Sequence, residues 1–268
     1  MYTTYWGLQE KPFENTPDPR MFYNSSKHEE ALTRMLYVAA EHQGGGMLTG
    51  DYGSGKTILS RVIPSQLDPN KYRFLYLSNP QLTGTEFIRE ITRQVAVIDR
   101  LPDSKSDLLN LLTEVLKRNA EINRDTVVIV DDAQLIRENE TLEDLRLLLN
   151  LQHRDKFLIT LLFFGQTELR EKINRLPQLK QRMTMRYHLD PLTEQETAEY
   201  VLHRLKVAGR EAPLFTDMAI REMAEHSRGV PREINNICNW ALLAGFSNQV
   251  DTINRELIEA VIKDMEQA

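Results

Sequence analysis

The chain has 268 residues, enough for one large domain or a large domain with a small companion. Its 41% hydrophobic and 27% charged residues are ordinary for a soluble globular protein, and a net charge of −6 weighs against a dedicated nucleic-acid binder, although a local basic patch overrides global charge. The single cysteine, Cys238, rules out an intrachain disulfide, and its neighbours Ile237, Trp240 and Ala241 mark it as a buried, inert thiol on a helix. The start of the chain lacks a basic-plus-apolar leader, and no apolar run has membrane-spanning length. The expected location is therefore the cytoplasm, peripheral to the inner membrane at most, through a partner and without direct insertion.

The opening residues, Tyr5-Trp6-Gly7-Leu8, Pro12-Phe13 and Thr16-Pro17-Asp18-Pro19, are aromatics and turn formers that predict neither helix nor strand. Ser26 with Glu29 reads as a capping box for a helix whose apolar stripe is Ala31, Leu32, Met35, Leu36 and Val38. Gly45 to Thr49 predicts a short buried strand and Ile58 to Ile63 a helix. Tyr72 to Leu77 alternates as a second strand. Two helices follow, marked by Phe87, Ile88, Ile91 and Val95 and by Leu108 to Leu116. Thr126 to Val130 is a β-branched run expected to be covered on both faces. A Leu-rich helix spans about 141–151, Phe157 to Phe164 is a further apolar strand, and Met185 to Leu189 a shorter one. Strands alternating with helices predict an α/β fold, a parallel sheet with helices on both faces. Beyond Asp190-Pro191-Leu192 only helices are expected, at about 193–208, 217–227, 230–246 and 254–266, the first opened by a Thr193–Glu196 capping box. The domain reading is 1–192 for the α/β part and 193–268 for a small all-helical part.

The chemistry concentrates in Gly50-Asp51-Tyr52-Gly53-Ser54-Gly55-Lys56-Thr57, which fits G-x-x-x-x-G-K-[ST] in the strand–loop–helix setting the motif requires. Glycines let main-chain N–H groups turn inward around phosphate oxygens, and the helix that follows adds its positive end. Lys56 is expected to reach the β- and γ-phosphates of ATP, and the Thr57 hydroxyl to hold Mg²⁺, with Ile58 following in the helix. Val127 to Val130 ends in Asp131-Asp132, read as a metal-shell carboxylate (Asp131) and a water-polarising one (Asp132) on a strand beside the first. The bland alternative is a pair of solvated turn acids. Gln166, leaving the strand 157–164, would sit between these two motifs and orient water or sense the γ-phosphate; equally, it would simply start a helix.

Arg170, Lys172, Arg175, Lys180, Arg182 and Arg186 crowd one stretch in which Glu171 is the only acid. Such a run is usually a solvated face; the specific alternatives are an arginine reaching a neighbour's nucleotide, with Arg182 and Arg186 flanking the last strand, or a DNA backbone patch. Arg232, in Gly229-Val230-Pro231-Arg232, is a cation at a helix start, where the dipole opposes it. It needs an anionic partner, either bound phosphate or one of Glu233, Asp217 and Glu222.

Taken together, these motifs resemble the AAA+ ATPases of the general secretion pathway protein A (ExeA/GspA) type, including the pilus-biogenesis relative MshM. The likeness runs from Trp6-Gly7-Leu8 and Pro12 to Pro19 through Gly50–Thr57, Val128–Gln134, Leu145–Leu151, Gly165–Leu169 and Gln181–Leu189 to Gly229–Ala241. It implies an AAA+ fold, Asp131 as Walker B, Gln166 near sensor 1, Arg232 as sensor 2, and an arginine finger among Arg182 and Arg186. It also puts Phe13 and Pro17, in an N-terminal segment 1–26, near the adenine. Family members usually carry Asp-Glu-Ala-Gln where this chain has Asp131-Asp132-Ala133-Gln134, so slow hydrolysis or a nucleotide-state switch is open. Many relatives continue into a membrane segment and a peptidoglycan-binding region, so an envelope role is not carried over. The expected protein is a ring- or filament-forming ATPase, a hexamer-like ring or helical filament, acting on a secretion or pilus apparatus. The alternative is a DNA-binding regulator of transposition (MuB/TniB/TnsC-like) with a transposase as partner.

Overall fold

Ile159-Thr160-Leu161-Leu162-Phe163-Phe164-Gly165 is buried at every position, and that run takes the middle of a five-stranded sheet. In this computed structural model, which describes residues 2–98 and 100–267, the strands in chain order are β1 (Gly45–Gly50), β2 (Tyr72–Leu77), β3 (Asp125–Val130), β4 (Gln152–His153), β5 (Lys156–Phe157), β6 (Ile159–Gly165) and β7 (Met183–Leu189). The helices are α1 (Tyr2–Tyr5), α2 (Ser26–Ala40), α3 (Lys56–Val62), α4 (Gly84–Ala96), α5 (Lys105–Glu121), α6 (Asn139–Leu148), α7 (Thr167–Asn174), α8 (Pro177–Arg182), α9 (Glu194–Val207), α10 (Asp217–Ser227), α11 (Pro231–Ser247) and α12 (Arg255–Gln267). The expected α/β class, with its parallel sheet, is what forms. The chain divides into two compact units, Glu30–Gly50 with Leu59–Leu189, and Met1–Glu29 with Asp51–Ile58 and Asp190–Ala268.

The first unit carries the sheet, ordered β2-β3-β6-β1-β7, with each neighbouring pair parallel. β3 is therefore not beside β1, as the sequence reading had it; β6 lies between them, because the most uniformly apolar strand is the one that gains most from burial on both faces. Register puts Thr49 opposite Gly165 and Val130 opposite Phe163, so the C-terminal ends of β1, β6 and β3 stand in one row. Phe87, Ile88 and Ile91 of α4, Leu108 and Leu112 of α5, and Leu142 and Leu145 of α6 join the strands in one apolar core. The expected strand 157–164 is divided. Arg154 and Asp155 both have positive φ (48° and 63°), which makes the tight turn of a β4–β5 hairpin, and Phe157 belongs to that hairpin.

The second unit packs α9 to α12 around a separate core that includes Trp6, Leu8 and Phe13 from the opening segment. That segment is tied in by polar bonds as well. Trp6 Nε1 donates to the Leu242 carbonyl (2.9 Å), and Arg204 donates to the carbonyls of Pro12 (2.5 Å) and Glu14 (2.8 Å). The Thr193–Glu196 capping box forms as expected. The Ser26–Glu29 box does not: Ser25 Oγ accepts the His28 N–H (3.4 Å), while Ser26 Oγ donates to Glu196 (2.8 Å). Cys238 is fully buried on α11, and burial holds its thiol well above the ordinary range. Among the described residues no helix is long and apolar enough to cross a membrane.

Candidate nucleotide-binding site

β1 ends at Gly50, and the next residues make a loop that only glycines could close. Gly53 and Gly55 have φ of +83° and +100°, and a Cβ on them would meet Arg232 Cβ at 2.6 Å and His28 Nε2 at 2.8 Å. The Ser54 N–H bonds the Asp51 carbonyl (3.2 Å), closing the turn. Lys56, the first residue of α3, is 7% exposed, and its ammonium donates to the Asp51 carbonyl (2.7 Å) and to Ser54 Oγ (3.4 Å). A buried cation framed by main-chain dipoles is a fit for an anion of matching charge. Thr57 and Ile58 continue α3, both half-buried.

Two side chains outside the motif shape this loop. Arg232, the second residue of α11, donates its backbone N–H to the Gly53 carbonyl (3.3 Å), filling one of the orphan donors of a helix start. Its guanidinium lies 4.1 Å over the exposed Tyr52 ring. Among the described residues Arg232 forms no ion pair, so the salt-bridge alternative with Glu233, Asp217 or Glu222 is not realised; Glu222 pairs with Arg255 (3.0 Å). His28 is the contact that sequence reasoning missed. It is 4% exposed; Nε2 lies 3.1 Å from the Ser54 carbonyl, and Nδ1 lies 2.8 Å from Ser25 Oγ. A carbonyl only accepts, so Nε2 carries the proton and Nδ1 accepts from Ser25. Burial lowers the His28 pKa, with the Ser54 bond and the Glu196 charge opposing. No pattern in the sequence announces this histidine.

In the sheet unit, Asp131 and Asp132 follow β3 and Gln166 follows β6, in the row that Gly50 completes. Gln166 thus leaves the strand between the other two, as expected. Its side chain does not cap α7, although it stands at the cap position; its backbone N–H bonds Gln134 Oε1 (3.0 Å). Gln134 Nε2 in turn donates to Asp132 Oδ1 (3.1 Å). Asp132 is exposed and held at φ +49°, in the left-handed region that few non-glycine residues adopt, and its N–H bonds Asp131 Oδ1 (3.0 Å). Gly165 is needed here, because a Cβ would meet Gln134 Oε1 at 2.9 Å and Leu169 at 2.7 Å.

Residues 39–173 match the family profile described as "AAA domain". The chain belongs to the AAA domain family. It is GspA-like: General secretion pathway protein A of Aeromonas hydrophila is 39% identical over 253 residues, which is 92% of this chain and 45% of that protein. The chain thus spans less than half the length of that curated relative. Among solved structures, it resembles Cdc6p of Pyrobaculum aerophilum (TM-score 0.72, 21% identity, 94% of this chain and 70% of that one). It also resembles the ORC2 protein of Aeropyrum pernix, solved as ADPNP–ADP complexes (TM-score 0.69, 17% identity, 96% and 72%). At such identities the likeness shows the fold alone, a P-loop ATPase fold.

For an AAA-family chain the remaining expected residues are unevenly placed. Arg182 ends α8 and stacks 5.6 Å over the Phe157 ring, at the start of β7. Arg186 lies within β7 rather than flanking it, exposed on the sheet's edge strand. Lys172 turns inward, donating to the Gln134 and Ile136 carbonyls (2.5 and 2.6 Å). Phe13 is a core residue, 2% exposed and edge-on to Phe215 (6.1 Å), while Pro17 is half-buried in the turn before Asp18. Among the described residues no cluster of three His, Cys, Asp or Glu could cage a metal. The Thr57 hydroxyl in the loop and, in the sheet unit, the Asp131 carboxylate are each hard oxygen donors of the kind that suits Mg²⁺, an ion that keeps waters and binds through one or two carboxylates plus phosphate oxygens.

Proposed function

We propose that the protein binds Mg-ATP and hydrolyses it at subunit interfaces of a homo-oligomer, using the cycle to assemble or remodel a partner complex of the secretion type. The observation that carries this reading is the Gly53–Lys56 loop, with its positive-φ glycines, buried ammonium and the Arg232 helix start bonded to Gly53. Gly50 to Thr57 hold the phosphates, Thr57 and Asp131 the magnesium, and Asp132 with Gln166 the attacking water. Arg232 answers the nucleotide charge from α11. Arg182 or Arg186 is the arginine supplied to the neighbouring subunit. Magnesium would draw charge from the phosphate oxygens, and an arginine in trans contributes about 10³–10⁵ in rate. The domain assignment, a nucleotide domain over 1–192 and a lid over 193–268, belongs to the same proposal, as does a cytoplasmic location. The secretion role draws on the name of the Aeromonas relative.

The deciding experiment is ATPase activity per subunit from nanomolar to tens of micromolar protein, with Arg182→Ala and Arg186→Ala beside the parent. The shared-site reading expects activity per subunit to rise with concentration and one arginine variant to flatten that rise while still binding ATP. Equal activity per subunit throughout defeats it. Asp132 decides between motor and switch. Its carboxylate is tied to Gln134 and is one methylene shorter than Glu, and a misplacement near 1 Å can cost on the order of 100-fold. Faster turnover in Asp132→Glu marks a slow, switch-like parent.

The exposed Arg170, Arg175 and Arg186 favour a second reading, an ATP-dependent DNA-binding regulator of transposition. Steep salt dependence of DNA retention supports it. No retention at low salt with a non-hydrolysable analogue removes it.

A further inference from the structure

In the sheet unit, a cleft lies at the N-terminal ends of β2, β3 and β6, the opposite edge from Asp131 and Gln166. His42, Lys71, Arg124 and Lys156 line it, with Asp125 as the one carboxylate. Asp125 faces His42 (Oδ2 to Nε2, 3.5 Å), and none of Lys71, Arg124 and Lys156 has a carboxylate within ion-pair distance among the described residues. Two polar atoms in the cleft wall are buried without a hydrogen-bond partner among the described residues, Thr126 Oγ1 and Arg124 Nε. Thr126 is 3% exposed. A buried hydroxyl left unpaired costs about 1–3 kcal/mol, and the cleft's cations outnumber its one carboxylate, whose charge, with that of Asp68, already acts on Lys71. One acceptor-rich anion would relieve both.

Size narrows the class. The cleft offers about 70 Å³ to water-sized atoms. A water needs about 10–15 Å³ on that measure, so there is room for a tetrahedral oxyanion and none for a nucleoside. We propose that this cleft is a second anion site that takes a single phosphate group, with Arg124, Lys71 and Lys156 supplying charge and the Thr126 hydroxyl a donor. The phosphate is either free inorganic phosphate or the monoester terminus of a larger molecule. The inference stands apart from the nucleotide reading, because it uses none of the loop residues.

The test is titration calorimetry with inorganic phosphate at constant ionic strength, on four proteins: the parent, Lys56→Ala, Thr126→Val, and the doubly substituted Lys71→Gln/Lys156→Gln. The last changes only exposed rim residues, so it keeps the experiment decisive if Thr126→Val folds poorly. Lys56→Ala should remove any phosphate taken up by the loop and retain the cleft's binding event, and that event should be about tenfold weaker when the hydroxyl or the two ammoniums are lost. Glycerol phosphate then separates the sources: equal binding marks a monoester-presenting ligand, and binding of inorganic phosphate alone marks the free ion. The proposal is overturned if the parent binds no phosphate, if Lys56→Ala abolishes the binding, or if Lys71→Gln/Lys156→Gln leaves it unchanged.

Discussion

The two compact units keep their interiors closed by different means. In the sheet unit Val127 to Val130 and Ile159 to Gly165 are buried without interruption, and helices α4 to α6 add mostly aliphatic and aromatic side chains, with Thr92 and Thr141 the buried polar ones. In the helical unit a buried polar chain runs through the core: Arg204 donates to the Pro12 and Glu14 carbonyls and to Tyr200 Oη, and Tyr200 Oη donates to Asn235 Oδ1 (2.7 Å). Asn235 Nδ2 continues to Asn15 Oδ1 (2.9 Å). The first interior is non-directional and tolerates redistribution of volume. The second is directional, and every member depends on its partner's presence.

The largest expected effect separates the units by function. Lys56→Ala, in the loop that groups with the helical unit, should lower Mg-ATP affinity by roughly 10²–10³, since it removes a charged partner from a dry site. Asp132→Ala, in the sheet unit, should spare binding and lower turnover. Calorimetry and steady-state ATPase assays read the two directly, and identical phenotypes would erase the division of labour.

Next come the interiors. Leu161→Ala should destabilise by about 2–5 kcal/mol through the cavity it leaves. Arg204→Met should lose about 2–4 kcal/mol despite nearly matching the volume, because two carbonyls are orphaned. If urea unfolding shows Arg204→Met to be as stable as the parent, the polar chain is not what closes the helical unit.

A smaller effect follows pH. His28 and His203 are both held below the ordinary imidazole range, chiefly by burial. Their unfolded forms therefore take up protons first. Stability should be full above the unfolded pKa of about 6.5 and fall as pH drops toward the folded values, by up to about 1.4 kcal/mol per pH unit for each histidine. His28→Gln should flatten that slope in urea unfolding from pH 8 to 5. An unchanged slope would mean that the imidazole beside Ser54 titrates normally. The smallest test concerns the start of α2. Ser25→Ala should cost about 1 kcal/mol as a lost N-cap, and Ser26→Ala less, since Ser26 gives its bond to Glu196.

Periodicity made most of the fold legible. The strands at 45–49, 72–77 and 126–130 and the helices after residue 193 lie where the apolar pattern puts them, because each buries a continuous face. The β4–β5 hairpin is not legible in the sequence because its turn, Arg154-Asp155, has positive φ at both residues without the glycine that usually marks such a turn. The capping error at α2 has a similar origin: Ser25 and Ser26 are both acceptable caps, and only the distant Glu196 decides between them. At the site, the loop motif located its own backbone, whereas His28 and the Tyr52–Arg232 stack depend on packing that no local spacing encodes. Phe13, which the family likeness puts near the adenine, is a buried member of the helical unit's apolar core, where an aromatic ring gains most from burial.

The bond from the Trp6 indole to the Leu242 carbonyl joins residues 236 positions apart. At ribosomal speeds of roughly 5–20 residues per second, Leu242 is added on the order of 10–50 s after Trp6. Throughout that interval Trp6, Leu8 and Phe13 have no finished core to enter. The nascent chain thus carries an aromatic segment in search of cover, and a chaperone acting during translation would find a handle there.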